Sequence, residues 1–180
     1  MRVAWDIPDL QPNGPDIAVV LGVREQRNWS TFDVAQEGVR PALIVEVTSP
    51  ETRALDLVDK LEIYALAGVP LYVIVDTRRW KGAETLHLLG YRLMPTGYEV
   101  LAPDERGWLW LDPVGLWLGV GEHAVQCYDA HGNPVESYKD LAAARAAAEA
   151  RAIDAEARAS DAEARLRALE QELQRLRGGG

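Results

Sequence analysis

Glu46 is where the sequence first poses a chemical problem. It lies inside "LIVEVTSP", residues 43–50, where Leu43, Ile44 and Val45 precede it and Val47 follows. An apolar run of this kind, closed by Ser49-Pro50, reads as a strand covered on both faces. A carboxylate within it costs several kcal/mol unless a partner compensates the charge. Asp16 and Asp76 are two further acids at the ends of apolar runs, and Lys60 follows on the next predicted helix. One reading of Glu46 is a structural ion pair. The other is a divalent-metal ligand shared with Asp16, because two hard carboxylates at neighbouring strand ends suit Mg²⁺, with waters completing its octahedron. At about 100° per residue, Lys60 falls roughly 40° from Tyr64 and 60° from Leu57, at the edge of an apolar helix face. It is placed either to aim its amine at the sheet or to lie along the surface with its head in water.

The elements that position these residues follow from hydrophobic periodicity. Residues 1–14 are punctuated by Pro and Gly and read as irregular. "PDIAVVLG" (15–22) is a short strand, and the polar stretch 23–41 is a loop or a short helix. After the Glu46 strand, Leu57, Leu61 and Tyr64, with Val58 and Ala65 alongside, mark a helix from about Glu51 to Ala67. Gly68 and Pro70 stop it. "LYVIVDT" is a second covered strand, ending at Asp76. A strand, a helix and a strand in this span make a right-handed crossover between parallel strands. "TLHLLGYRL", "GYEVLAP", "GWLWL", "GLWLGV" and "AVQCYD" then predict an antiparallel meander. The body is mixed α/β.

Composition narrows the function classes. Hydrophobic residues make up 48% of the 180, enough for a real core. No apolar run approaches a membrane span, and the acid- and proline-bearing start is not a secretory signal. Cys127 is alone, so no internal disulfide forms and a reducing compartment, the cytoplasm, is expected. Residues 1–140 carry 12 basic and 21 acidic side chains, and residues 141–180 carry 7 of each, so the whole net charge of −9 belongs to the body. Such a body is not the usual electrostatic footprint of a nucleic-acid binder. His87, His123 and His131 show no metal-ligand spacing, and there is no P-loop or dinucleotide fingerprint. Trp108, Trp110 and Trp117 alternate along strands and suit a core or an interface better than a base-stacking platform.

At Leu141 the composition changes. The segment to Arg177 lacks Gly and Pro, is rich in Ala, Glu and Arg, and contains the near-repeat "IDAEARA", "SDAEARL". Leu166, Leu169, Leu173 and Leu176 continue a seam begun by Ala148, Ala152, Ala155, Ala159 and Ala162, a heptad stripe. Asp154–Arg158, Asp161–Arg165 and Glu163–Arg167 are i,i+4 pairs of favourable polarity. The stripe predicts a coiled coil over 141–177. A single solvated helix is the other reading, and it gives the leucines no role. The expected organisation is a body, 1–140, and a helical tail, 141–180.

"PD" at 15–16, "EVTSPETR" at 46–53, "DLVDKLEIY" at 56–64 and "GVPLY" at 68–72, followed by a strand ending in Asp76, form a joint pattern. It resembles the Uma-type family of restriction endonucleases in the PD-(D/E)XK nuclease superfamily, over roughly residues 15–120. The resemblance implies a restriction-endonuclease-like mixed sheet with a crossover helix. It also implies a metal-dependent DNA endonuclease that hydrolyses phosphodiester bonds. Asp16, Glu46 and the Val47 carbonyl would hold Mg²⁺ or Mn²⁺, and Asp16, Glu46 and Lys60 would be catalytic. The superfamily's usual lysine, two residues after the glutamate, is replaced by Thr48, and Lys60 would be its migrated substitute. Such a metal lowers the pKa of a bound water and neutralises the phosphate's developing charge. The family's N-terminal helix and hairpin have no counterpart in the fourteen residues before Pro15, so either the start is truncated or a partner supplies the missing layer. Arg53, Arg78, Arg79 and Lys81 could offer DNA a local basic lip on the acidic body. The tail would make the protein a homo-oligomer, a dimer in the simplest case. The alternative is a catalytically degenerate nuclease fold whose coiled coil assembles protein partners.

Overall fold

The computed structural model describes residues 1–49, 52–80, 83–121, 124–136 and 138–178. Side chains are described within these except at 79–80, 83–84, 138–140, 144, 164, 166–170, 172–176 and 178. Several sequence expectations fall outside the described residues: the Pro50 stop, the helix start at Glu51, Lys81, His123 and the side chains of Arg79 and Arg167. The side chains of the four seam leucines fall outside them too. Two compact units divide the chain, Met1–Val135 and Glu136–Gly180.

The first unit is built on a five-stranded mixed sheet in the order β2-β4-β5-β6-β7. Its strands are β2 (Ile17–Val20), β4 (Pro41–Val47), β5 (Leu71–Trp80), β6 (Ala83–Met94) and β7 (Gly97–Leu101). β4 and β5 are parallel and the other pairs antiparallel. The crossover between β4 and β5 is a wide π-helical turn, Leu55–Asp59, continued by α2 (Lys60–Leu66). Gly68, at φ 70°, ends the crossover, as its sequence position predicts. Of the residues that set the helical period, Tyr64 is fully buried and Leu57 and Leu61 are partly buried, whereas Val58 is exposed.

The two faces of the sheet are covered differently. Ile44, Tyr72 and Ile74 face the crossover helix and form one core with Tyr64, Val69, Trp5 and Phe32. Leu43, Val45, Val73 and Val75 face the other way, towards Leu109, Leu111 and Leu118. These last come from a separate three-stranded sheet, β8 (Leu109–Leu111), β9 (Leu116–Val120) and β10 (Val125–Tyr128), in the order β10-β9-β8. Between the two sheets lies an apolar cavity of about 520 Å³, lined in part by Ile17, Val47, Val75, Leu111 and Cys127.

Three expectations are corrected here. The predicted meander is two, because β7 ends one sheet and β8 begins another. The irregular start contains β1 (Arg2–Ala4), which pairs in parallel with β3 (Thr31–Asp33). That short strand and α1 (Val34–Glu37) lie in the stretch read as loop or short helix. Pairing over only three positions leaves too little period to read in sequence. Finally, β5 does not end at Asp76. It runs on to Trp80 against β6, five residues past its last pair with β4 at Val75. Trp110 and Trp117 lie on the small sheet and Trp108 directly precedes it. Trp108 stacks on Tyr128 with centroids 3.8 Å apart and carries Arg106 over its ring at 4.2 Å, and Trp110 packs on Trp117.

The second unit is one helix, α3 (Tyr138–Gly178), 41 residues long, about 60 Å at 1.5 Å per residue. Every described side chain from Leu141 to Arg165 is exposed. Alanine propensity and the ion pairs Arg145–Glu149, Asp154–Arg158 and Asp161–Arg165 support it locally. No helix among the described residues is long and apolar enough to cross a membrane.

Candidate active site

β4 brings the chemistry to the middle of the sheet. Residues 44, 46 and 48 point to the crossover side and residues 43, 45 and 47 to the other. Ile17 pairs with Val45, so the next position outward, Asp16, meets Glu46 on the crossover face. Two hydrogen bonds join them. The Asp16 amide donates to Glu46 Oε2 at 3.2 Å, and the Val47 amide donates to Asp16 Oδ2 at 2.8 Å. Asp16 thereby extends the β2–β4 pairing by a side-chain bond where the backbone ladder stops. Val47 enters through its amide here, and its side chain faces the apolar cavity.

The other oxygen of Glu46 is held from the helix. Tyr64 Oη donates to Glu46 Oε1 at 2.6 Å, and Lys60 Nζ lies 2.8 Å from the same atom. Lys60 Nζ is also 2.8 Å from Asp56 Oδ1, four residues back. Glu46 and Asp56 are each only 1% exposed. In the π-helical turn the Lys60 amide bonds the Leu55 carbonyl, five residues back. This widening sets Asp56 and Lys60 at the sheet end, and such turns recur at functional sites. Asp56 and Tyr64 are the site residues that sequence reasoning missed. Their signal was the spacing 56, 60, 64, one polar position per helical turn on the buried stripe. Tyr64 was counted as apolar, and its hydroxyl was ignored.

Charge is not balanced in this cluster. One lysine faces two buried carboxylates, and Asp16 adds a third acid. Burial raises the Glu46 pKa, and the Lys60 and Tyr64 contacts do not fully offset it. Burial works to lower the Lys60 pKa, but Asp56 and Glu46 outweigh it and raise the value, so the amine stays charged. Burial, then the Glu46 contact, raises the Tyr64 pKa and keeps it a phenol that donates. A further cation beside Glu46 Oε2 and Asp16 would cancel the excess. The donors there are hard carboxylate oxygens, which suit Mg²⁺ or Mn²⁺. Among the described residues no group of three or more His, Cys, Asp or Glu side chains is arranged to hold an ion. A two-carboxylate site that keeps several waters is compatible with this.

Asp76, the third acid singled out by sequence, belongs to a different cluster. It is fully buried and saturated. Oδ1 accepts from Arg53 Nε at 2.8 Å and Thr48 Oγ1 at 3.1 Å, and Oδ2 accepts from Arg53 Nη2 at 3.0 Å and Arg78 Nε at 2.8 Å. Thr48 also accepts from the Thr77 amide at 3.0 Å. Arg53 is set by a reciprocal cap that precedes it: the Ser49 amide donates to Thr52 Oγ1 and the Thr52 amide to Ser49 Oγ. The Arg53 hydrogen bonds, foremost, hold the Asp76 carboxyl at about 2. A depressed acid contributes stability that is complete above its unfolded value, near 4, and is lost as pH falls through about 2. Asp76→Asn should therefore cost about 2 kcal/mol at pH 7. Urea titrations should show the gap to the unaltered chain closing between pH 4 and pH 2. A gap independent of pH would refute this assignment.

A mixed sheet with a helical crossover, carrying an acid–acid–lysine cluster at the end of its central strands, is the architecture of a restriction-endonuclease-like fold. The family model described as "Putative restriction endonuclease", Uma2, matches residues 2–121. The chain belongs to that family of nucleases. The match ends before the helical tail. Searches of curated proteins and of solved structures return no match.

Proposed function

We propose that the first unit is a metal-dependent endonuclease that hydrolyses phosphodiester bonds in DNA. The observation that carries this reading is the division of labour on Glu46: Oε1 is clamped by Lys60 and Tyr64, and Oε2 is turned towards Asp16. Asp16 and Glu46 would hold the ion, with the Val47 carbonyl as a further ligand. Bound there, Mg²⁺ or Mn²⁺ would supply an activated water and charge neutralisation at the phosphate. Tyr64 fixes the Glu46 rotamer. Lys60, charged and held between Glu46 and Asp56, would orient the attacking water or offset charge developing on the phosphate. Cleavage of supercoiled and linear DNA with Mg²⁺, Mn²⁺ or chelator tests the reading. Metal-dependent nicking or linearisation is expected. No cleavage with either metal, together with no thermal shift on titrating them, would identify a degenerate fold that serves assembly instead.

The tail is proposed to join copies of the chain into a dimer through its heptad seam, working in the reducing cytoplasm. The leucine end would supply most of the association, at about 1.5–3 kcal/mol per leucine before entropic costs. Sedimentation of the full chain at micromolar concentration should show a dimer. Replacing Leu166, Leu169, Leu173 and Leu176 together by Ala should shift it to monomer while far-ultraviolet circular dichroism retains the helix, since Ala favours helix. A monomeric full chain would reject self-association.

A further inference from the structure

We propose that Arg53 and Arg78, anchored on Asp76, form a phosphate-binding fork that grips the backbone of the nucleic acid beside the Glu46 cluster. This assignment rests on the nuclease reading and extends it to substrate binding. Asp76 is fully buried, yet its two arginine partners remain 42% and 48% exposed. The carboxylate engages the inner edges of both guanidinium groups. Arg53 uses Nε and Nη2, and Arg78 uses only Nε. The Nη1 group of Arg53 and both Nη groups of Arg78 have no partner among the described residues. Two guanidinium groups on one carboxylate leave a net positive charge, and the saturated anchor fixes their direction. A lone structural ion pair needs one arginine, and the second is surplus to neutralising Asp76. Guanidinium forks match phosphate oxygens in geometry, and a fixed fork loses less entropy on binding than a free side chain.

Position supports the same conclusion. Thr48, which bonds Asp76, is two residues beyond Glu46 and directly follows the end of β4, about 6.6 Å further along if the chain stays extended. A nucleic-acid strand carries a phosphate about every 3.4 Å along its helix axis, so a fork this near in the chain to Glu46 is suited to a neighbouring phosphate of the same strand. The fork also supplies the local attraction that a body of net charge −9 lacks. Asp76 is a positioning residue here, because it acts only through the arginines.

Arg78 is the residue to change, because Arg53 alone still satisfies both Asp76 oxygens and the fold is retained. The experiment uses full-length chain carrying Glu46→Gln, so that bound duplex is not cleaved. Anisotropy of a fluorescent duplex is followed across a range of KCl with Mg²⁺ present. Adding Arg78→Gln should weaken binding to unrelated sequences alike and make the slope of log K against log salt shallower by about 1. Arg78→Lys should restore the slope, since it restores the charge. Melting temperatures of the three chains should agree. Binding whose affinity and slope ignore Arg78→Gln overturns the fork and leaves the nuclease reading intact. A Glu46→Gln chain that binds no duplex at low salt overturns the fork, and cleavage by the unaltered chain then decides the nuclease reading. A fork that behaves as expected in an unaltered chain that never cleaves DNA overturns the nuclease reading alone.

Discussion

Lys60→Ala should destabilise the first unit by about 3–5 kcal/mol at pH 7, the range for removing one partner of a buried ion pair. Lys60 Nζ is the cation nearest Glu46 and Asp56, at 2.8 Å from each, and both carboxylates are buried. Without it, Tyr64 still donates to Glu46, but no positive charge faces either acid. Glu46, whose pKa burial already raises against the pull of Lys60, would then bind its proton still more tightly in the folded chain than in the unfolded one. Stability would therefore fall as pH rises, from near the ordinary carboxylate value upward. Urea unfolding at pH 5 and pH 7 reads this directly, with the variant losing more at pH 7. A variant as stable as the unaltered chain at both values would show that the lysine does not hold the cluster together. Its effect on catalysis must then be measured on folded protein at pH 5 to 6, where cleavage should still be lost.

Glu46→Gln should do the opposite: abolish cleavage at little cost in stability. The amide keeps a partner for Tyr64 and removes a charge whose burial is unfavourable. Because the Glu46 pKa is raised on folding, its ionisation opposes folding as pH rises above the unfolded value. In chelator at pH 7 the variant should melt at or above the temperature of the unaltered chain. The stabilisation that Mn²⁺ gives the unaltered chain should vanish in the variant, since binding to the folded state alone raises stability by mass action. A variant that retains the Mn²⁺ shift would remove Glu46 from the metal site. Asp16→Asn is the companion measurement. It should lose the same shift, with a small stability cost from weakening the bond to the Val47 amide.

The long apolar runs were the legible part of the fold. β4, the crossover and β5 each carry a continuous pattern with stops of known chemistry, so parallel pairing and the crossover followed directly. The short elements were not legible. β1, β3 and α1 depend on Trp5 and Phe32 packing into the main core, a tertiary condition with no local period. The division between β7 and β8 was hidden because both sheets use the same turn chemistry. At the site, the position of Glu46 in an apolar run identified the unusual carboxylate, and helical phase marked Lys60 as a residue able to face the sheet. Asp56 was missed because an acid within a predicted helix reads in sequence as an ordinary solvated side chain, and nothing local marks it as buried. Tyr64 was missed because an aromatic on an apolar stripe gives no sign of what its hydroxyl meets. Asp76 was noted only as an acid at the end of an apolar run, and its role was not legible for a geometric reason. Its strand continues, so Arg78 two residues on stays beside it, and a long-range arginine, Arg53, supplies the second partner.

The two acids on either side of Glu46 Oε2 have unequal supports. Glu46 belongs to β4, paired on both sides, whereas Asp16 precedes β2, an edge strand of four residues with a register shift between Val19 and Val20. Fraying at a sheet edge takes far less free energy than global unfolding. The chain can therefore uncouple Asp16 from Glu46 by peeling a few residues from the rim while the lysine-bearing half stays intact. If the pair holds an ion as proposed, a contact that clamps β2 against β4 would favour binding without touching either carboxylate.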